Sequence, residues 1–208
     1  MPNPVLPATL VLLLFLSSAF PNDISSPEYW IKTHAHWTSL EEGEVVLLES
    51  PDESKPVKTD HAAIAAILID SPVAQVWDIV NDQDKAPDYM KTLLSSELLE
   101  EHEGYSLIQQ QVKVGFHQVE YVVRHMPTPT SVIEFERQSG DLKSMNGFWR
   151  FIEVGKEGSM QTLLIYRLSL QPDFPIPPFL IRKSLSDNLP DTLISIRDEL
   201  IRNQENPP

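Results

Sequence analysis

The sequence predicts an α+β fold in which a curved antiparallel sheet wraps around one long C-terminal helix, with two short helices after the first strands. Three observations predict it. Leu185, Leu189, Leu193, Ile196 and Leu200 recur at steps of four, four, three and four, the spacing of one helical face. Upstream of them, six strand-like stretches between residues 96 and 170 are separated by short turn-prone links, the pattern of an antiparallel meander. Between the two blocks, Gln171 to Pro178 carries four prolines, which cannot continue a sheet ladder. A single apolar stripe on a helix needs a wide surface to lie against. A sheet that curves away from such a helix leaves a cavity between the two.

The elements follow in order. Leu10 to Leu16 reads LVLLLFL and is followed by Ser17-Ser18-Ala19. This is a secretory signal pattern, with cleavage expected after Ala19 and an uncleaved anchor as the alternative. The protein is therefore expected in a periplasm or outside the cell. Residues 20–60 read as an N-terminal extension and residues 61–204 as the main domain. Within the extension, Ser26-Pro27-Glu28 starts a helix expected to run from Glu28 to Leu40, and Glu44 to Glu49 is a strand. Ala62 to Asp70 reads as a buried strand, with a helix left open by its alanines. Ser71-Pro72 then caps a helix whose Val73, Val76, Trp77 and Val80 share one face. Asp84 to Leu94 gives a second short helix. The meander comprises Ser96–Glu101, Tyr105–Val114, Phe116–Met126, Ser131–Arg137, Gly147–Val154 and Gln161–Leu170. The last helix covers Pro177 to Asn203, where Pro190 either kinks one helix or opens a second capped by Asp187 or Asn188.

Composition narrows the function classes. The chain of 208 residues has a formal net charge of −14 and no cysteine. So acidic a chain is a poor partner for nucleic acid or an anionic membrane surface. Without cysteine it has no disulfide, no thiolate zinc site and no thiol nucleophile. There is no Gly-x-Ser-x-Gly elbow, phosphate-binding glycine loop or His-Glu-x-x-His. His34 and His36 point apart on a helix, and His117 and His125 lie eight residues apart on one strand, too far to share an ion. His117 and His125 read as surface or pocket-rim residues. Glu120 and Arg124 read as a solvent face with cross-strand ion pairs; were that face concave, the Glu120 carboxylate could serve as general acid or base in a cyclase-like reaction. No catalytic residue, metal site or cofactor is expected.

Period-two alternation assigns faces. One face collects Val119, Tyr121, Ile133, Phe135, Trp149, Phe151, Leu164 and Tyr166, facing Leu189 and Leu193 of the last helix. Parity leaves two readings open. The side chains fill an ordinary core, or they line a pocket in which Tyr121 and Tyr166 present polar tips to a ligand. These residues are the expected ligand site. Opening is expected at the last helix and at the loops around Asp82–Pro87 and Ser139–Asn146. Phe174, Ile176, Phe179, Leu180 and Ile181 gather at the crossover beside Arg182 and Lys183. They either pack under the helix or touch a bilayer transiently during ligand exchange.

Specific stretches carry a family resemblance. IDSPVAQVWDIVND (Ile69 to Asp82) resembles the opening motif of the START-like superfamily, also called SRPBCC. APDYMKTLLSSELLE (Ala86 to Glu100) is similar to its next segment, NGFWRF (Asn146 to Phe151) to its Gly-x-Trp strand, and TLLIYRL (Thr162 to Leu168) to its Thr-x-Leu-x-Tyr strand. The similarity spans roughly residues 60 to 203, nearest the polyketide cyclase/dehydratase and coenzyme Q-binding group. It implies a helix-grip fold and a protein, here an exported monomer, that binds or transfers a hydrophobic small molecule, a lipid above all. A cyclase- or dehydratase-type enzyme and a partner-binding module built on the extension are the alternatives. The export signal and the extension set this chain apart from that group.

Overall fold

The computed structural model describes residues 23–49, 61–114, 117–156, 159–173 and 175–205. The expected signal segment lies outside these residues, as does Phe174. The described residues form one eight-stranded, wholly antiparallel sheet. In chain order its strands are β1 (Val46–Leu48), β2 (Ala62–Ile69), β3 (Leu93–His102), β4 (Tyr105–Val114), β5 (His117–Thr128), β6 (Val132–Gly140), β7 (Leu142–Lys156) and β8 (Ser159–Pro172). Their order across the sheet is β1-β2-β8-β7-β6-β5-β4-β3. From β4 to β8, each strand pairs with the one before it, as short links require. The helices are α1 (Pro27–Trp30), α2 (His34–Glu41), α3 (Val73–Asn81), α4 (Ala86–Tyr89) and α5 (Pro178–Glu205). This is the expected α+β helix-grip arrangement.

Three local expectations change, and one alternative is decided. The helix expected over Glu28–Leu40 is two helices, because Thr33 is extended and its hydroxyl accepts the His36 amide at 3.1 Å, starting a new helix. Ser71 is not the cap of α3, whose first residue follows Pro72 without a side-chain cap. Instead, the Ser71 carbonyl accepts a 2.7 Å bond from the Thr162 hydroxyl, and its Oγ accepts one of 3.0 Å from Gln204. Ser71 thus ties β8 and the end of α5 to the turn before α3. The expected loop over Ser139–Asn146 is mostly strand, since β7 begins at Leu142. Residues 178–205 form one helix through Pro190.

The sheet has a core on each side. On the concave side, Ala63, Ala65, Ile67 and Ile69 of β2 meet Leu193, Ile196 and Leu200 of α5 and Val76 and Val80 of α3. The small alanines let the helix lie close to the strand. On the convex side, Ile64, Ala66 and Leu68 join Leu163 and Ile165 under Trp30, Ile31 and Leu40. All eight residues of β2 are buried, which is why its sequence reads as a continuous apolar run rather than an alternation.

Candidate functional site

A cavity of ≈ 600 Å³ lies between the amino-terminal half of α5 and the concave face of the sheet. It forms because the two halves of α5 do different things. Leu193, Ile196 and Leu200 are buried in solid packing on β2 and α3. The earlier turns, through Ile181, Leu185 and Leu189, stand over β5 to β8, where the sheet has curved away, and roof the space.

Five of the ten expected site residues line this cavity: Tyr121, Phe135, Trp149, Tyr166 and Leu189. The other five, Val119, Ile133, Phe151, Leu164 and Leu193, are buried in the packed core instead and do not reach its wall. Phe151, for example, packs on Trp77 of α3 with ring centroids 5.1 Å apart. The wall itself is aromatic and close-fitted. Trp149 and Tyr166 are cross-strand partners whose rings stack at 3.6 Å and 1°. Phe135 leans on Tyr166 at 6.3 Å and 47°. Its cross-strand partner is Gly147, where a Cβ would fall 2.4 Å from Phe135 Cζ and 2.1 Å from the Arg167 carbonyl. Glycine at this position therefore sets where the Phe135 ring can lie.

Polar groups are few, and most are already bonded. The Tyr121 hydroxyl donates to Gln110 Oε1 at 3.1 Å. Gln110 Nε2 donates to Gln83 Oε1 at 3.0 Å, and Gln83 Nε2 donates to the Val80 carbonyl at 2.8 Å. This relay joins the sheet to the end of α3. Along the roof, Asn188 donates to the Ser184 carbonyl at 2.7 Å, and the Thr192 hydroxyl donates to the Asn188 carbonyl at 2.9 Å. Burial raises the phenols of Tyr121 and Tyr166 well above their ordinary range, and the nearness of Tyr121 raises Tyr166 further. Both stay neutral.

Sequence reasoning placed His125 at the surface or the pocket rim. It is 5% exposed and borders the cavity. Of the two readings the pocket one holds, and its depth follows from parity, since its odd-numbered position shares a face with Val119, Tyr121 and Val123. Burial pulls its imidazole down to about 4, so it is neutral near pH 7. Its Nε2 is buried without a hydrogen-bond partner. Gln83 and Gln110 were missed, because neither a loop glutamine nor one polar strand residue stands out in a pattern. Among the described residues no Asp or Glu lines the cavity. Lys113 and His117 line it at its β4–β5 end, where both are exposed. Glu120 is exposed, and Arg124 reaches Glu136 on the neighbouring strand at 3.7 Å, the solvent-face pairing expected of that parity. Among the described residues no three metal-ligating side chains converge, and no helix is long and apolar enough to cross a membrane.

A family model described as polyketide cyclase / dehydrase and lipid transport matches residues 69–197. The ribosome association toxin RatA of Pseudomonas aeruginosa is 26% identical over 96 residues, which cover 46% of this chain and 67% of that protein. The Zhui aromatase/cyclase from Streptomyces sp. R1128 superposes with a TM-score of 0.59 at 18% identity, over 68% of this chain and 94% of that one. A STAR-related lipid transfer protein from Xanthomonas axonopodis superposes with a TM-score of 0.60 at 13% identity, over 76% of this chain and 93% of that one. At these identities the structural likeness is one of fold.

Proposed function

This chain belongs to the polyketide cyclase / dehydrase and lipid transport family, and from that premise we propose that it binds and transfers a hydrophobic small molecule, a lipid above all, in the cavity under α5. The observation that carries this reading is the cavity itself. It offers ≈ 600 Å³ behind aromatic and aliphatic walls, with no carboxylate among its described lining residues. That is the size and lining of a small-molecule site. Shielding from water is the mechanism. Each ~100 Å² of apolar ligand surface removed from water contributes about 2.5 kcal/mol. Ligand passes by the amino-terminal end of α5, where Leu180 both lines the cavity and reaches the surface, and Phe179 is 67% exposed. Transient contact of this lip with a bilayer belongs to the same proposal.

Cyclase or dehydratase chemistry needs a group in the cavity able to move a proton near pH 7. The imidazole of His125, held at about 4, is a weak base for that task, and the other lining histidine, His117, lies at the exposed β4–β5 end of the cavity, which favours carriage over catalysis. A ribosome contact, which the toxin's name gives for that protein, sits poorly with a net charge of −14 here. Action in a periplasm or outside the cell is part of the same proposal; the apolar run Leu10–Leu16 followed by Ser17-Ser18-Ala19 supports it, and a mature chain beginning at Phe20 in the exported fraction is the corresponding expectation.

Native mass spectrometry of the mature protein, followed by extraction of whatever is released, tests the carrier reading. A stoichiometric added mass from a lipid or a quinone supports it. A bare mass that stays unchanged after incubation with a lipid extract argues for an idle cavity and overturns it.

A further inference from the structure

We infer that the ligand of this cavity carries an uncharged acceptor, a keto or ester carbonyl above all, which accepts a hydrogen bond from the Tyr166 hydroxyl. This rests on the carrier reading and adds the chemistry of the ligand's polar end. Tyr166 lines the cavity and is half-buried. Its hydroxyl bonds no described residue, yet it is not one of the sealed, unpartnered side-chain oxygens. It therefore keeps accessible surface. The cross-strand partners of Tyr166, Ala65 and Trp149, are both buried, so the space on which the hydroxyl opens is the cavity. The ring is also held in place. It stacks on Trp149 at 3.6 Å and 1°, and Phe135 leans on it at 6.3 Å. A donor fixed in this way loses little freedom when a ligand arrives.

The two phenols of the wall thus differ. Tyr121 is committed through Gln110 and Gln83 to the Val80 carbonyl. It is near enough to raise the Tyr166 phenol, but its own hydroxyl is turned to Gln110. Asn188 and Thr192 are committed to the backbone of α5. The Tyr166 donor is left for whatever fills the cavity. A neutral phenol presents one donor, which a carbonyl oxygen accepts without bringing a charge. A carboxylate or phosphate at the same place would lose its hydration without meeting a cation. Lys113 and His117 line the cavity from β4 and β5, with β6 and β7 between them and Tyr166. A ligand of hydrocarbon alone would displace water from the hydroxyl and give it nothing in return.

The test uses the mature protein and three probes, 1-ethylpyrene, 1-acetylpyrene and 1-pyrenecarboxylate, with dissociation constants read by fluorescence at pH 7. The first two share an outline and differ in the carbonyl. Tyr166→Phe keeps the ring and removes only the hydroxyl. It is expected to lower the affinity for 1-acetylpyrene relative to 1-ethylpyrene about fivefold, the value of one net hydrogen bond, while 1-ethylpyrene itself binds as before. 1-Pyrenecarboxylate is expected to bind more weakly than 1-acetylpyrene. Infrared spectra of bound 1-acetylpyrene keep the test open even if Tyr166→Phe fails to fold. In the wild type its carbonyl stretch should lie below the value in hexane, and in Tyr166→Phe it should move back toward that value. An unchanged affinity ratio, or a wild-type stretch at the hexane value, marks a hydroxyl that serves cavity water alone. A carboxylate that binds best and loses most in Tyr166→Phe marks a charged acceptor. Each of these overturns the inference and leaves the carrier reading standing. If no probe binds, both fall.

Discussion

Gly147 faces Phe135 across β6 and β7, and the absence of a side chain there fixes one wall of the cavity. Gly147→Ala must push the Phe135 ring aside or spread the strands, because the other close atom is the backbone carbonyl of Arg167. Overpacking of this kind costs about 1–3 kcal/mol. Urea unfolding should show that loss, together with weaker retention of any apolar probe. His125 makes a second prediction. Its ordinary value of 6.5 falls to about 4 in the fold, so between these limits the unfolded chain binds the proton and the folded chain does not. The stability linked to the neutral imidazole is present above pH 6.5 and is lost as pH falls toward 4, with a ceiling of about 3 kcal/mol. Wild type should therefore lose more stability over that interval than His125→Leu, and parallel unfolding curves for the two would refute the assignment. The cavity wall was partly legible in the sequence. Strand parity put Tyr121, Phe135, Trp149 and Tyr166 on the right face. It put Val119, Ile133, Phe151 and Leu164 there as well, because parity assigns a face and not a depth beneath the helix. Which residues meet empty space depends on where α5 parts from the sheet, and no local pattern encodes that.

The division of α5 is the corresponding feature at the scale of an element. Residues around Ile181, Leu185 and Leu189 roof the cavity, whereas Leu193 and Ile196 are wholly buried against β2 and α3. Pro190 lies at the boundary. It has no N–H to offer the Ser186 carbonyl four residues earlier, so one bond of the helix ladder is missing there. Nearby, the Asn188 side chain donates to the Ser184 carbonyl at 2.7 Å, a further local departure from a plain backbone ladder. Fewer packed neighbours and a broken ladder lower the free energy of local opening. Hydrogen exchange should accordingly be faster at amides 181–189 than at 193–200, and a bound ligand should slow the first set far more than the second. Uniform protection along the helix would count against a hinged roof. The apolar spacing made this helix legible from Leu185 onward, and Pro190 left open whether it was one helix or two. The break inside the expected Glu28–Leu40 helix was less legible, since Thr33 acts through a cap whose geometry only the extended backbone before it reveals.

The whole molecule depends on a covering that the meander and its helix do not supply. The convex face of β2 and β8 carries Ile64, Leu68, Leu163 and Ile165, and what shields them is Trp30, Ile31 and Leu40 of the amino-terminal segment. Trp30 is held there by its indole N–H, which donates to the Ile24 carbonyl at 2.9 Å, and by edge-on contact with Phe148 at 5.7 Å. β1 adds the outer strand to β2, and Arg197 of α5 reaches the Gly43 carbonyl at 2.7 Å. The fully apolar run of β2 announced a buried strand, but the short helix expected before it gave no sign of which face it would cover. If this segment were a separable arm for a partner, removing it would leave the rest unchanged. The packing requires otherwise. Leu40→Ala should cost about 2–5 kcal/mol, as for other fully buried leucines. A chain beginning at His61 should expose an apolar face and an unpaired strand edge together, a combination that drives edge-to-edge association. Light scattering and thermal unfolding of that truncated chain are expected to show oligomers and a lower Tm. A truncated monomer that melts at the temperature of the full protein would instead make the segment an independent arm, free to serve a partner.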